Sequence, residues 1–489
     1  MKLYIQKLNF FLNFSNISLK LNSNEVKELF INGIDNLKEI EAGDLVNKDE
    51  SRMVGHFWMR DSKKAPNKAI SQFIESEKER LKGFFTTNAF DDLLYIGIGG
   101  SALGPQLING FAGNRSSKKI YFLDNTDSES FQKIVKNIKD FNKLLVVVVS
   151  KSGSTQETVN MLKLTEAEFK KRSISISNSF VAITGKGSLL DNYAKDNNFL
   201  DTFYIADWLG GRTSIWSSIG LLPLLFLDQN IDEFLNGAKL MDLESRNQAH
   251  KNPAFLLALA WYQEGKGKGD KNLVILPYKD KLELLGRYLQ QLIMESIGKS
   301  EDLNNNTVNQ GLTVYGNKGS TDQHAFIQQL RDGRNDFIAH IISSITSKTE
   351  FNLEIDQNTK IDDYLKAFSA GTSKALIEND RSVVEIEIQQ IDIVSFGALI
   401  SLFENAVSFY ARFININAYH QPGVEAGKKS AKSFLRIKDQ LVLDSKTCKD
   451  PKALLENYPE DRFLADNALR YLVRSGGING ISLEDILEL

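Results

Sequence analysis

Cysteine is almost absent from this 489-residue chain: Cys448 stands alone, so no intrachain disulfide can form. It sits in a polar stretch, DSKTCKD, and the shortage fits a reducing compartment. Proline is scarce, with 8 residues, and no low-complexity tract occurs, so domains must be joined compactly. Long hydrophobic runs are missing. The nearest, SIWSSIGLLPLLFLD, is broken by Pro223 and falls short of the roughly 18 apolar residues of a membrane span. The opening MKLYIQKLNFFLNFSN mixes Asn, Gln and Lys with its apolar residues and lacks a signal-peptide h-region. Neither charge sign dominates: 59 Lys and Arg oppose 62 Asp and Glu, and no basic run marks a nucleic-acid surface. The 5 histidines (56, 250, 324, 340 and 420) form no HxxxH pair, and one cysteine offers no CxxC, so no zinc pattern is present. The expectation is a soluble cytoplasmic protein with no nucleic-acid or membrane partner and no metal.

What is there suggests two or three domains, at roughly 100–200 residues per domain. Residues 1–90 read as mainly helical, with apolar residues at helical spacing in SNEVKELFINGIDNLKEIEAG and PNKAISQFIESEKERLKGF. From Asp92 the rhythm changes. LLYIGIGG, KKIYFLDN, KLLVVVVS and FVAIT read as strands separated by helical segments, which predicts an α/β domain over 91–230 with a parallel sheet wound on both faces. A helical bridge over 231–269 includes PAFLLALAWYQEG. The alternation restarts with KNLVILPY, TVYG, DFIAHIIS and SVVEIEIQ, giving a second α/β domain over 270–400. The rest, 401–489, reads as helical.

Ligands of parallel sheets bind beyond the carboxyl ends of the strands. Two glycine- and hydroxyl-rich corners occupy that position. GIGGSALG, 97–104, allows close backbone approach and sets Ser101 to cap the next helix; SKSGSTQET, 150–158, offers hydroxyls at a helix start. Both suit an anion held by unpaired amides and the helix dipole. Residues 97–102 lack the GxGxxG spacing of a dinucleotide fold, and the lysine of SKSGST precedes the glycine instead of following it as in a nucleotide P-loop. Ser150 and Thr155 as plain helix caps is the competing explanation. Two such corners in one sheet favour a ligand, and a small phosphate monoester fits better than a nucleotide.

Four further places carry reactive groups. In GGRTSIWSSIG, Arg212 follows a glycine pair and precedes a helix, where it can clamp phosphate or oxyanion charge. In LGRYLQQLIMESIGKS, Gln291 and Glu295 are four residues apart on one helix face. Apolar neighbours make Glu295 a candidate general base, since desolvation raises carboxylate basicity. In GSTDQHAFIQQLRDG, His324 stands after a turn at a helix start, suited to proton exchange. In NAYHQPGVEAGKKSAK, a Pro-Gly turn leads into a helix bearing Lys428, expected to point back toward the sheet end. Each has an ordinary alternative: a surface arginine, a solvated glutamate, a structural histidine, a solvated lysine pair.

Together, GIGGS, SKSGSTQET, GGRTS, QQLIMES, GSTDQHAF and QPGVEAGKK, in that order, resemble the glucose-6-phosphate isomerase (phosphoglucose isomerase) family, bacterial branch, from about residue 55 to 430. The resemblance implies two sugar-isomerase (SIS) α/β domains with extra terminal helices. It implies a homodimer with the active site at the subunit interface, no cofactor, and interconversion of glucose 6-phosphate and fructose 6-phosphate in glycolysis and gluconeogenesis. By motif, Ser150, Ser152 and Thr155 would hold the sugar phosphate, with Lys151 and Ser154 adjacent. Gly100, Ser101, Gln291 and Gln421 would contact substrate, and Glu295 would move the proton between C1 and C2. Arg212 would stabilise the enediolate, while His324, from the partner subunit, and Lys428 would open and close the ring. Two departures stand out: Gly153 widens the phosphate turn, and Ile297 replaces an asparagine of MESNGK. A non-catalytic sugar-phosphate sensor, a dual phosphoglucose/phosphomannose isomerase and a metal-dependent isomerase are the alternatives.

Overall fold

The computed structural model describes residues 1–14, 16–113 and 117–487, the side chains of 424–426 and 487 excepted. They form two compact units, Met1–His420 and Gln421–Leu489.

The first unit opens on an antiparallel pair, β1 (Lys2–Ile5) and β2 (Phe10–Asn13), followed by helices Asn24–Ala42, His56–Arg60 and Lys68–Thr87. The mainly helical reading of this region missed that pair. Its local sequence shows only a short apolar run, and its partner strand lies more than 370 residues away in Glu385–Ile388.

Five strands then form one sheet: β3 (Asp92–Ile96), β4 (Lys119–Leu123), β5 (Leu144–Val149), β6 (Phe180–Thr184) and β7 (Asp201–Tyr204). Their order is β4-β3-β5-β6-β7 and every pairing is parallel. The run LLVVVV makes β5 because a parallel strand covered on both faces needs apolar residues at every position. Leu145, Val147 and Val149 enter the main core of the unit, and Leu144, Val146 and Val148 enter a separate cluster on the opposite face. Burying each such side chain contributes about 1.5–3 kcal/mol.

The second sheet uses β8 (Asn272–Pro277). Between it and the next member lie β9 (Lys299–Glu301) and β10 (Thr307–Gln310), which pair only with each other among the described residues. After β11 (Val314–Tyr315) and β12 (Phe337–Thr346), a small hairpin, β13 (Glu354–Asp356) and β14 (Thr359–Lys360), precedes β15 (Ser382–Gln390). The sheet order is β1-β2-β15-β12-β8-β11, parallel from β15 to β11. In β8, Leu273 and Ile275 join the main core while Val274 and Leu276 face a third cluster. The molecule is thus α/β with two mainly parallel sheets, each covered on both faces.

Helix Ile393–Phe413 runs through the main core with 18 of its 21 residues buried. It is long and apolar enough to cross a bilayer, but 89% of its most apolar stretch is buried inside the protein. Its composition is accounted for by packing. The second unit has its own small core, in which Ile437 and Leu441 of helix Val424–Asp444 meet Leu469 and Leu472 of helix Arg462–Arg474.

Candidate active site

In the first sheet the chain leaves β3 toward β4 on one side, then crosses back to β5 on the other. The point where winding reverses is where α/β sheets open a crevice at the strands' carboxyl ends. GIGGS follows β3 and SKSGST follows β5, so the two corners flank that crevice.

The second corner is organised by its own hydroxyls. Buried Ser150 accepts from the Gly153 amide (3.0 Å) and donates to Thr155 Oγ1 (3.2 Å). Ser152 Oγ accepts from the Ser154 amide (3.2 Å) and lies 2.8 Å from Ser154 Oγ. Thr155 occupies the N-cap position of helix Gln156–Lys171, yet its side chain accepts no bond from the first-turn amides. Those amides have no intrahelical partner and carry the positive end of the dipole. Thr155 is therefore not the ordinary cap that was the competing explanation. Gly153 takes φ +75°, and a Cβ there would lie 2.2 Å from the Leu190 amide nitrogen, so the turn requires glycine.

Lys151 diverges from its neighbours. Its ammonium donates to the carbonyls of Asp207 (2.8 Å) and Leu209 (3.1 Å), away from the hydroxyls, and burial lowers its pKa. Ser101 also departs from expectation. It ends a short turn, Gly99–Ser101, while Ala102 holds the N-cap of helix Leu103–Ala112, so Ser101 does not cap it.

Arg212 lies in the turn Gly211–Trp216, which precedes helix Ser218–Phe226. This turn interlocks with the first corner: a Cβ on Gly100 would lie 2.3 Å from the Gly211 carbonyl carbon, and Ser214 Oγ donates to the Gly100 carbonyl (3.1 Å). The Arg212 guanidinium is 6% exposed and donates to Ser296 Oγ (3.3 Å) and to the carbonyls of Ala418 and His420 (both 3.2 Å). Its backbone carbonyl lies 3.5 Å from the Tyr288 hydroxyl, which donates to Glu404 (3.1 Å). Glu404 in turn accepts from Trp216 Nε1 (2.9 Å) and contacts Arg60.

Gln291 and Glu295 fall in a π-helical turn, Gln290–Glu295, that continues helix Leu285–Leu289. The wider coil retains both on one side, and such turns recur at functional sites. The turn is seated on the second sheet by Gln290, which donates to the Val314 carbonyl (3.1 Å), and by Gly286 packed on the Gly316 carbonyl. Gln291 Nε2 would touch a Cβ on Gly99 at 3.3 Å, so Gln291 borders the first corner. Glu295 Oε2 lies 3.6 Å from Arg212 Nε. That oxygen is buried and accepts no hydrogen bond from the described residues. Ile297, the departure from the family motif, is fully buried in the core and fits there as an apolar side chain.

A cleft opens beside this pair, with Glu50, Arg52, Lys151, Asp207, Arg212 and Ser296 among its walls. Neither Glu295 nor the loop's hydroxyl residues Ser150, Ser152, Ser154 and Thr155 line it. One buried group here escaped the sequence reading. Lys299 Nζ donates to the carbonyls of Glu295 (2.8 Å) and Ser296 (2.9 Å). Its pKa falls to about 8, chiefly from burial and then from Arg212.

His324 sits elsewhere. It is exposed and forms the C-terminal cap of helix Gly319–Gln323, not the helix start expected from its turn-like context. The GST residues that read as a turn are themselves that helix. Gln421 and Lys428 belong to the second unit, where both are exposed; Lys428 is in helix Val424–Asp444, directly after the Pro422-Gly423 turn. The structure therefore gathers Ser150, Ser152, Ser154, Thr155, Gly100, Ser101, Arg212, Gln291 and Glu295 around the first unit's strand ends.

Two mainly parallel sheets, a hydroxyl-rich corner at a winding reversal and a carboxylate facing a buried arginine describe an α/β protein with a polar crevice at its strand ends. The chain belongs to the phosphoglucose isomerase family, whose model matches residues 27–450. A glucose-6-phosphate isomerase of Prochlorococcus marinus is 44% identical over 457 residues, covering 90% of this chain and 85% of its own length. The chloroplastic glucose-6-phosphate isomerase 1 of Arabidopsis thaliana is 45% identical over 434 residues, 85% of this chain and 71% of its own. The crystal structure of a glucose-6-phosphate isomerase from Chlamydia trachomatis shares the fold, with a TM-score of 0.83 at 24% identity, covering 96% of this chain and 92% of that one.

Proposed function

We propose that this protein interconverts glucose 6-phosphate and fructose 6-phosphate through ring opening and a cis-enediol(ate) intermediate. The observation that carries this is the Glu295–Arg212 pair: a carboxylate oxygen without a hydrogen-bond donor among the described residues, 3.6 Å from a buried guanidinium. Family membership supports the same reaction.

Ser150, Ser152, Ser154 and Thr155 hold the phosphate, with Lys151 contributing through its backbone position. This remote binding aligns the reacting end. Gly100, Ser101, Gln291 and Gln421 contact the sugar. From open-chain glucose 6-phosphate, Glu295 takes the C2 proton. The electron pair left behind forms the C1–C2 double bond, and the former carbonyl oxygen O1 gains negative charge. Arg212 stabilises that charge, which is worth more in a water-poor site. Glu295 returns its proton to C1 while the C2 hydroxyl proton passes to O1, leaving the ketose. His324 and Lys428 exchange the protons that break and reform the ring C–O bond.

We place His324 in the active site of a second copy, so the working form is a homodimer; its exposed position supports that reading. The protein acts in the cytoplasm, in glycolysis and gluconeogenesis. Purified protein should convert fructose 6-phosphate, and Glu295→Gln should lower turnover about 10²–10⁴-fold while phosphate-ester binding persists. Full turnover by that variant would remove Glu295 from the role of base. A wild type that binds fructose 6-phosphate without converting it would instead be a sensor.

A further inference from the structure

We propose that Lys299 is a positioning residue for the base: its ammonium clamps the end of the turn that carries Glu295 and keeps that carboxylate facing Arg212. The inference rests on the isomerase reading above.

Helix ends leave carbonyls without intrahelical donors, and a cation there meets the negative end of the dipole. Helix Leu285–Leu289 and its π-turn end at Gly298, whose amide bonds the Met294 carbonyl (2.8 Å). The next two carbonyls, of Glu295 and Ser296, are taken by Lys299 Nζ at 2.8 and 2.9 Å. Lys299 is only 6% exposed, and it opens β9, so its backbone is fixed by pairing with Gln310. The charged groups facing it are Arg212 from the Gly211–Trp216 turn, Glu295 from its own helix, Asp49 from the turn Lys48–Glu50, and His420. Asp49 is 3.7 Å from His420 Nδ1, and Asn417 bonds Asp49 as well, so these groups form one cluster. Burial and Arg212 weaken the hold on the Lys299 proton, while Glu295 and Asp49 strengthen it. A lysine this deep, bonded to the backbone of the base itself, transmits its charge state to the reaction without touching substrate.

The test follows fructose 6-phosphate conversion from pH 6 to 10 in wild type, Lys299→Met and Lys299→Arg. The expected result is a fall in kcat of about tenfold or more for Lys299→Met, since small displacements of a base are costly. KM should stay within about threefold, because the phosphate corner is untouched. The wild type should lose turnover through about pH 8, with that limb absent in Lys299→Met and moved upward in Lys299→Arg. Wild-type kcat and an unchanged pH profile in Lys299→Met would overturn the proposal. Should that variant not fold, an alkaline limb unmoved in Lys299→Arg overturns it equally. An inactive wild type marks the failure of the isomerase reading; an active, unshifted Lys299 variant marks the failure of this one.

Discussion

Lys299 shows how a single side chain acquires properties that its local sequence hides. Its pKa of about 8 lies below the ordinary 10.5, so between those values the unfolded chain binds a proton that the folded one has released. Stability must then rise with pH across that window, by an amount on the order of 3 kcal/mol. Denaturant unfolding at pH 7.5 and 9.5 should show wild type gaining on Lys299→Met as pH rises; a constant difference between the two proteins would refute this. Glu295 and Arg212 were legible in the sequence because the motifs around them are specific. Lys299 was not, since nothing in MESIGKS reveals that the lysine is buried. His340 illustrates the same point from the other side. It sits mid-strand in β12, accepts from Trp261 Nε1 (2.8 Å), and burial lowers its pKa to about 4, so it is a core histidine with no proton-exchange role near neutrality.

At the scale of elements, most parallel strands of the two sheets could be read directly because buried parallel strands are continuous apolar runs, whereas the antiparallel pair β1 and β2 could not. β7, DTFY, escaped for lack of such a run: it is a half-buried edge strand. The π-turn escaped because a wider coil preserves the apolar spacing of QQLIMES, so an α-helix and a π-turn look alike in sequence. The hydroxyl-rich corner was legible in its residue types, but not in the side-chain direction of Lys151. Gly153 allows a sharp test of that corner. Alanine there would occupy φ +75° and meet the Leu190 amide at 2.2 Å. The strain should be about 1–3 kcal/mol. Gly153→Ala is expected to raise KM for fructose 6-phosphate on the order of tenfold, the equivalent of about 1.4 kcal/mol, with a smaller effect on kcat; an unchanged KM would show that the loop does not hold the phosphate.

Across the whole molecule the two sheets are built alike but equipped differently. The second sheet also has a crevice where its winding reverses, between β8 and β12, lined by Tyr278, Lys279, Ser343 and Lys366. There Lys279 lies 3.7 Å from Asp362 and Lys366 pairs with Glu387, so its cations are neutralised internally. The proposed sharing of His324 between copies has a direct check. Glu295→Gln and His324→Ala homodimers should each be nearly inactive, yet subunits exchanged between them should recover activity, because one mixed site regains both wild-type groups. No recovery after verified exchange would argue that each copy uses its own histidine.

The hydroxyl-rich corner follows strands of the first sheet, whereas the turn bearing Glu295 is seated on the second through Val314 and Gly316. With the proposed roles of these two regions, affinity for a phosphate ester and rate of turnover become separate gauges of the same chain. The first reads the condition of one half, and the second reads whether both halves are still in register. A variant that disturbs only the packing beneath β11 should grip its substrate normally and idle.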